Sequence, residues 1–122
     1  KVDYVNLHGT STQANDKVET LAVKKVFGQR AYDIPMSATK SMIGHPQGAC
    51  GSAGVAATLL ALNQGVIHPT ANYEVPDPDC DLNYVPNKPQ TKPVQWAVAN
   101  CIAFGSKNSS LVLEKADSLP LV

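Results

Sequence analysis

Apolar residues concentrate in four short runs, one at the start of the chain, one in its first third and two near its end. Residues 2–7 are rich in β-branched and aromatic side chains and lead into a polar loop, a pattern typical of a buried strand. Residues 34–38 predict a second, short strand. Residues 94–104 and 109–114 predict two adjacent strands, which the turn at 105–108 joins as an antiparallel hairpin.

Residues 16–27 show the spacing of an amphipathic helix. Asp16 is positioned to cap its start, with Glu19 as the returning arm of a capping box, and Gly28 suits the position after its last turn. The side chains expected to pack on the core recur at helical spacing; they are Val18, Leu21, Ala22 and Val26.

Residues 48–64 predict a second helix, with glycine at every third position near its start: Gly48, Gly51 and Gly54. Glycine inside a helix costs up to about 1 kcal/mol relative to alanine, a cost commonly offset where two backbones approach closely. We therefore expect this helix to be buried and packed tightly against a sheet or a ligand, with Gly65 at its end.

The segment 66–93 is rich in proline, which predicts irregular chain lying over a surface rather than central strands. The elements then follow one another as strand, helix, strand, helix, strand and strand. This order favours an α/β fold with parallel pairing early in the chain and an antiparallel pair late.

Composition narrows the class of protein without indicating a function. The 122 residues are 43% hydrophobic and 16% charged, which is typical of one globular domain. Ten basic residues balance ten acidic ones, which argues against binding to nucleic acid or to an anionic membrane through bulk charge. No apolar run is long enough to predict a transmembrane helix. The three cysteines show neither a disulfide pattern nor metal-ligand spacing, which favours a reducing cytoplasm.

Three polar clusters, residues 8–12, 39–45 and 104–108, each follow a predicted strand. Ligands of open α/β sheets bind beyond the carboxyl ends of strands, so these loops are candidates for a site. Each residue has an ordinary structural explanation by itself, His8 as a hydrogen-bonded strand end and Lys40 as a solvated lysine. Together, His8, His45 and Lys40 could converge on one pocket, where neutral imidazole Nε2–H groups stabilise oxyanion or enolate charge. A nucleophile with a neighbouring base is missing.

The three clusters and the proline-rich segment resemble the C-terminal part of β-ketoacyl-acyl-carrier-protein synthases, in particular the type II elongating ketosynthases. The resemblance is carried by VDYVNLHGTSTQANDKVET, ATKSMIGHPQGACGSAG, HPTANYEVPDPDCDLNYVPN and CIAFGSKNSSLVLEK. It implies an α/β fold of the thiolase-like type, a mixed sheet with packed helices, over residues 1–116, with a tail at 117–122. It also implies that the chain is the C-terminal portion of a longer synthase, incomplete at its N-terminal end.

The resemblance implies roles for individual residues. His8 and His45 would donate hydrogen bonds to the malonyl thioester carbonyl and stabilise the enolate formed when CO₂ is lost. Lys40 would order the site through a charge network that includes Glu19. Phe104 would screen one substrate from the other with its ring and supply a backbone N–H to the oxyanion hole.

The resemblance also implies how substrates arrive. Thr10 and Thr12 would hydrogen-bond the phosphopantetheine arm of an acyl carrier protein, so neither a metal nor a separate cofactor is expected. The nucleophilic cysteine of the family lies in an N-terminal motif that is absent here. The cysteines that do not align with it are Cys50, Cys80 and Cys101.

The implied activity is decarboxylative Claisen condensation of an acyl thioester with malonyl-carrier protein, in fatty-acid or polyketide synthesis. The whole synthase is expected to be a cytoplasmic homodimer, and this segment alone is expected to be inactive without the N-terminal part. Two alternatives stay open: a non-catalytic thiolase-like partner subunit or scaffold, and a stand-alone ligand-binding module. Retention of both histidines and the lysine favours the enzyme.

Overall fold

A four-stranded mixed sheet lies at the centre of the structure, a computed structural model that describes residues 1–116. The predicted tail at 117–122 lies outside the described residues. Along the chain the elements are β1 (Tyr4–Leu7), α1 (Gln13–Phe27), β2 (Met36–Ala38), α2 (Lys40–Ile43), α3 (Cys50–Gln64), β3 (Val66–Ile67), β4 (Gln90–Thr91), β5 (Trp96–Ala103) and β6 (Lys107–Glu114).

The central sheet has the strand order β2-β1-β5-β6. Strand β1 runs parallel to both of its neighbours, whereas β6 is antiparallel to β5. These pairings confirm the predicted parallel pairing early in the chain and the hairpin at its end. The carboxyl ends of β1, β2 and β5 therefore meet at one edge of the sheet.

Strand alternation divides the apolar core into two clusters, one on each face of the sheet. Tyr4 packs with Ala61 and Leu62 of α3. Its neighbour Val5 points to the other face and packs in the cluster that includes Val23 of α1. One long helix thus covers each face, which is the α/β layering that the element order predicts.

Helix α1 turns a different face to the core from the one that its apolar spacing predicts. The buried residues are Glu19, Thr20 and Val23. The polar side chains are tolerated there because they are hydrogen-bonded; the Thr20 hydroxyl, for example, lies 2.6 Å from the Tyr84 hydroxyl. The prediction of the core face was wrong, since the residues it named are all exposed: Val18, Leu21, Ala22 and Val26.

The start of α1 is capped by Thr12 and not by Asp16. The Thr12 hydroxyl oxygen accepts a hydrogen bond from the backbone N–H of Asn15 at 3.3 Å. The helix therefore begins earlier than predicted, and Glu19 lies a turn too late to complete a capping box. The end of the helix at Gly28 is as predicted.

Helix α3 brings two of its three predicted glycines against the sheet. A Cβ added to Gly54 would lie 3.3 Å from Asn6 Oδ1, and one added to Gly51 would lie 3.7 Å from Cys101 Sγ. Gly48 precedes the helix and faces open space. The expectation of a buried helix holds only for the glycine-bearing face, because the opposite face exposes Leu59 and Leu60.

The proline-rich segment after α3 is mostly irregular, as predicted, but it also contains the short antiparallel ladder of β3 and β4. Gly65 ends α3 in the left-handed region at φ 66°, as predicted. Two ion pairs, Lys17–Asp79 and Lys24–Asp81, hold this segment against α1. The segment therefore forms one wall of the groove above the sheet edge.

Candidate active site

His8 and Lys40 meet at the carboxyl ends of β1 and β2. Leu7 and Ala38 are register partners at the ends of these strands, so the residues that follow them are brought side by side. The Lys40 ammonium donates to the backbone carbonyl of His8 and lies 3.3 Å from His8 Nδ1. The predicted convergence of these two loops is thus present in the fold.

The surroundings of His8 favour its neutral form. Only 6% of the residue is exposed, and this burial lowers the pKa of the imidazole; the neighbouring Lys40 ammonium lowers the pKa further. Glu19 acts in the opposite sense. Because the ammonium faces Nδ1 as a donor, the hydrogen of the neutral ring belongs on Nε2. His8 therefore presents an N–H donor on the side away from Lys40.

Glu19 holds the backbone around His8. Its carboxylate accepts hydrogen bonds from the backbone N–H groups of His8 at 2.8 Å and Gly9 at 3.0 Å, and from Asn100 Nδ2 at 3.1 Å. Lys40 holds the carbonyl of the same residue. The predicted link between Lys40 and Glu19 therefore runs through the peptide groups of His8, and within residues 1–116 no direct ion pair joins the two.

Gly9 allows the two loops to approach. It has φ 44°, in the left-handed region, and an added Cβ would collide with Cβ of Ala38. A side chain at this position would therefore push β1 and β2 apart at the point where His8 and Lys40 meet.

His45 stands beside His8 in an edge-to-face arrangement. The ring centroids are 6.1 Å apart and the ring planes are 87° to each other. Nδ1 of His45 accepts a hydrogen bond from the backbone N–H of Gln47 at 3.0 Å, so the neutral ring also carries its hydrogen on Nε2. Cys50 Sγ lies 3.4 Å from the same nitrogen. His45 is more exposed than His8.

Thr10 and Thr12 line a cavity of about 750 Å³. Their hydroxyl oxygens are 3.1 Å apart and hydrogen-bonded. Lys40 and His45 line the same cavity, and the opposite wall comes from the proline-rich segment, including Tyr73. The cavity thus connects the two threonines with the side chains of His45 and Lys40, whereas His8 does not line it.

Phe104 lies apart from this group. It follows β5 at the start of the hairpin turn, and its side chain is 100% exposed. Gly105 and Ser106 follow with φ 72° and φ 60°. Its predicted gating and oxyanion roles remain predictions.

Sequence reasoning missed Asn100, although a signal was present. It is an amide within the long apolar run that forms β5, and its side chain reaches Glu19. A polar residue inside an apolar strand requires a hydrogen-bond partner, so the sequence indicated that Asn100 has one, although not that the partner is Glu19.

The arrangement suits the stabilisation of negative charge on a carbonyl oxygen. Two imidazole rings and an ammonium group lie together at the sheet edge, beside a cavity that His45 and Lys40 line, and N–H donors of this kind stabilise such charge. Among residues 1–116 no cluster of three or more His, Cys, Asp or Glu side chains is placed to hold a metal ion. In the same range, none of the helices has the length and apolar character to cross a membrane.

Residues 1–74 match the family model described as the beta-ketoacyl synthase, C-terminal domain, and the chain belongs to this family. It is 52% identical over 112 residues to the tetracenomycin polyketide synthase ketoacyl synthase alpha subunit of Streptomyces glaucescens, covering 92% of this chain and 26% of that protein. It is 46% identical over 114 residues to 3-oxoacyl-[acyl-carrier-protein] synthase 2 of Synechocystis, covering 93% of this chain and 27% of that protein.

Solved structures agree with this assignment. A type II polyketide synthase acyl-carrier protein in complex with its ketosynthase matches with a TM-score of 0.93 and 39% identity, over 95% of this chain and 28% of that one. A beta-ketoacyl synthase from Burkholderia phymatum matches with a TM-score of 0.88 and 34% identity, over 95% and 28%. The predicted thiolase-like fold is confirmed. The chain spans about a quarter of the length of the curated relatives it matches.

Proposed function

We propose that this chain is the C-terminal catalytic portion of a β-ketoacyl-acyl-carrier-protein synthase. The enzyme would condense an acyl thioester with malonyl-carrier protein, with loss of CO₂, in fatty-acid or polyketide synthesis. The observation that carries the proposal is the convergence of His8, His45 and Lys40 at one sheet edge, with both imidazoles arranged as Nε2–H donors.

Decarboxylation is the step in which these residues act. The thioester carbonyl of the malonyl group accepts hydrogen bonds from Nε2–H of His8 and of His45. The bond from the malonyl carbon to its carboxylate breaks, CO₂ leaves, and the electron pair moves towards the thioester oxygen as an enolate. Neutral N–H donors stabilise the growing charge on this oxygen, and fixed donors need little reorganisation as it develops.

Condensation follows from the same enolate. Its carbon attacks the acyl thioester held by a nucleophilic cysteine in a segment outside this chain. The tetrahedral oxyanion accepts a hydrogen bond from the backbone N–H of Phe104, and collapse of the intermediate releases the cysteine thiolate. Lys40 and Glu19 keep the His8 backbone in place during both half-reactions.

The substrates are carried on phosphopantetheine and need no further cofactor. Thr10 and Thr12 hydrogen-bond that arm where it enters the cavity, and an acyl carrier protein delivers it. A related ketosynthase solved with its acyl carrier protein supports this partner. A homodimeric, cytoplasmic whole synthase belongs to the same proposal.

The test uses the full-length synthase that contains this segment. The release of labelled CO₂ from malonyl-carrier protein and the formation of the condensed product are measured for wild type, His8→Ala and His45→Ala. Loss of one such donor is expected to lower the rate about 100-fold or more. Lys25→Ala, an exposed change on α1, is the matched control and is expected to retain the rate.

Two results would contradict the proposal. One is decarboxylation that persists unchanged in the folded His8→Ala protein. The other is a folded, full-length protein that neither decarboxylates nor condenses but forms a stable complex with an active ketosynthase, which would establish the partner-subunit alternative. The partner-subunit outcome has a structural relative: a solved ketosynthase/chain length factor matches this chain with a TM-score of 0.90 and 39% identity.

A further inference from the structure

A cluster of five polar side chains lies immediately behind the His8–Lys40 contact. It consists of Tyr4, Asn6, Ser37, Thr39 and His68. We call it the inner polar cluster. Tyr4, Asn6 and Ser37 are almost fully buried, and the other two are partly buried. A buried group of this size requires nearly every polar atom to find a partner.

His68 is at the centre of the inner polar cluster. Its Nε2 lies 3.2 Å from Tyr4 Oη, 3.3 Å from Thr39 Oγ1, 3.4 Å from Ser37 Oγ and 3.4 Å from Asn6 Nδ2. Tyr4 and His68 also meet edge to face, with ring centroids 6.4 Å apart. One ring nitrogen of the proline-rich segment thus touches side chains from both β1 and β2 and from the residue after β2.

The partners of His68 define its tautomer. Nδ1 lies 3.1 Å from the backbone carbonyl oxygen of Pro69. A carbonyl oxygen only accepts, so Nδ1 carries the hydrogen and Nε2 of the neutral ring carries a lone pair. Burial lowers the pKa of His68, which keeps the ring neutral. His68 therefore offers an acceptor to the hydroxyl groups around it.

The hydrogen-bond donors of the inner polar cluster show why the acceptor at His68 Nε2 is needed. The two amide hydrogens of Asn6 go to Thr39 Oγ1 at 2.9 Å and to Tyr4 Oη at 3.1 Å. Thr39 therefore already accepts from Asn6 and has its own hydroxyl hydrogen to donate. Within residues 1–116, the further partner of Thr39 Oγ1 is His68 Nε2 at 3.3 Å, which therefore accepts that hydrogen. The hydroxyl groups of Tyr4 and Ser37 also reach this lone pair, but they lie 2.9 Å apart and hydrogen-bond each other.

We propose that His68 is a positioning residue that fixes the ends of β1 and β2 relative to each other, so that His8 and Lys40 stay in contact. Asn6 lies two residues before His8, and Thr39 is the residue directly before Lys40. The link from His68 to Thr39 and on to Asn6 thus joins the two strands one step behind the site. The importance of that contact for catalysis rests on the proposed function, whereas the link itself does not.

Two substitutions remove the ring of His68 and differ in whether an acceptor remains near Nε2. His68→Gln places an amide oxygen, an acceptor, near the position of Nε2. His68→Asn keeps a donor near the position of Nδ1 but has nothing at Nε2. Because Asn is one methylene shorter than Gln, loss of packing alone also separates these two variants, and the nearly volume-matched Thr39→Val distinguishes the lost acceptor contact from lost bulk.

The first measurement is the pKa of His8 in the full-length synthase, obtained residue by residue from the exchange of the imidazole C2 hydrogen with deuterium. The charged and titratable groups facing His8 are Lys40, Glu19, His45 and Asp16. Lys40 lowers the pKa of His8, so movement of the ammonium away from the ring raises it. His68→Asn is therefore expected to raise the pKa of His8, and His68→Gln to leave it near the wild-type value.

The second measurement is the pH profile of malonyl decarboxylation with its kcat and KM. His68→Asn is expected to lower kcat about 10-fold, with little change in KM, because a small displacement of a fixed donor weakens only the reacting geometry. The acidic limb of the profile should move to higher pH in step with the pKa of His8. His68→Gln should restore both.

Thr39→Val and Thr39→Ser repeat the test if a His68 variant does not fold. Valine removes the hydroxyl that donates to Nε2 at nearly constant volume, and serine keeps it. Valine should raise the pKa of His8 and serine should not. An unchanged pKa of His8 in both His68→Asn and Thr39→Val, or equal shifts in the Gln and Asn variants, would overturn the inference. A wild type that does not decarboxylate would instead refute the proposed function, while the exchange measurement would still decide the role of His68.

Discussion

The two ends of the candidate site are built in opposite ways. Around His8, a carboxylate, an ammonium group and the close approach that Gly9 permits fix the backbone from several directions. Around Phe104, the side chain is fully exposed and the turn that follows contains Gly105, with open space around it. The difference indicates that contacts within this segment organise the histidine end, whereas among residues 1–116 nothing covers the Phe104 side chain.

The strongest test of this comparison is alanine at two glycines of positive φ. Gly9→Ala combines backbone strain with a collision against Ala38, whereas Gly105→Ala adds strain with open space around the new Cβ. We expect Gly9→Ala to lower stability by more than about 3 kcal/mol, and Gly105→Ala by about 1 kcal/mol. Thermal unfolding of the full-length synthase measures both. Equal losses would show that the two ends are not built differently.

The next test removes one acceptor from the histidine end. Glu19→Gln replaces one carboxylate oxygen by an NH₂ group, which faces a backbone N–H instead of accepting from it. The buried donor left without a partner is expected to cost about 1–3 kcal/mol. Asp16→Asn is the matched control, because Asp16 is only half-buried and accepts from the backbone N–H of the exposed Ser11. A loss in the control as large as in Glu19→Gln would show that the Glu19 carboxylate has no special role in holding the His8 backbone.

The smallest expected effect is a dependence of stability on pH. The pKa of His8 in the folded chain is lowered, so the unfolded chain binds its proton more readily. Stability should therefore fall as the pH drops below the ordinary histidine pKa of about 6.5, and level off below the folded pKa of His8. The pKa of His68 is also lowered, by burial, so His68 adds to the same loss of stability at low pH. The melting temperature from pH 8 to about pH 5, where carboxylates are still mainly ionised, measures this change.

A matched variant assigns the effect to His8. Gln at position 8 does not titrate, so His8→Gln should flatten the pH dependence of the melting temperature and leave the contribution of His68. A slope that is unchanged in His8→Gln would show that the lowered pKa of His8 does not contribute to stability. It would also weaken the argument that Lys40 acts on this ring.

The sequence predicted the parallel pairing early in the chain, the hairpin at its end and the convergence of the loops, because these follow from the order of the elements along the chain. Alternating apolar runs indicate strands, and parallel strands place their carboxyl ends at one edge. It did not predict which face of α1 is buried. Apolar spacing favoured Val18 and Leu21, but the site needs Glu19 inside, and the hydrogen bonds that make its burial possible come from residues distant in sequence, such as Asn100.

The cap of α1 shows the same limit at shorter range. Thr12 and Asp16 are both residue types that cap helices, and spacing to Glu19 favoured the second. In the fold, Glu19 is occupied by the backbone of His8 and Gly9, which leaves Thr12 to begin the helix. Local propensity could not distinguish the two because the deciding contact lies across the loop.

The way His8 is held has a consequence for protein engineering. Glu19 accepts from its N–H and Lys40 donates to its carbonyl, so both main contacts are made by the main chain of this residue. A different side chain at position 8 would therefore be presented from the same backbone position and in the same direction. The backbone of residue 8 is thus held independently of its side chain, which makes position 8 suitable for installing other hydrogen-bond donors or acids by substitution.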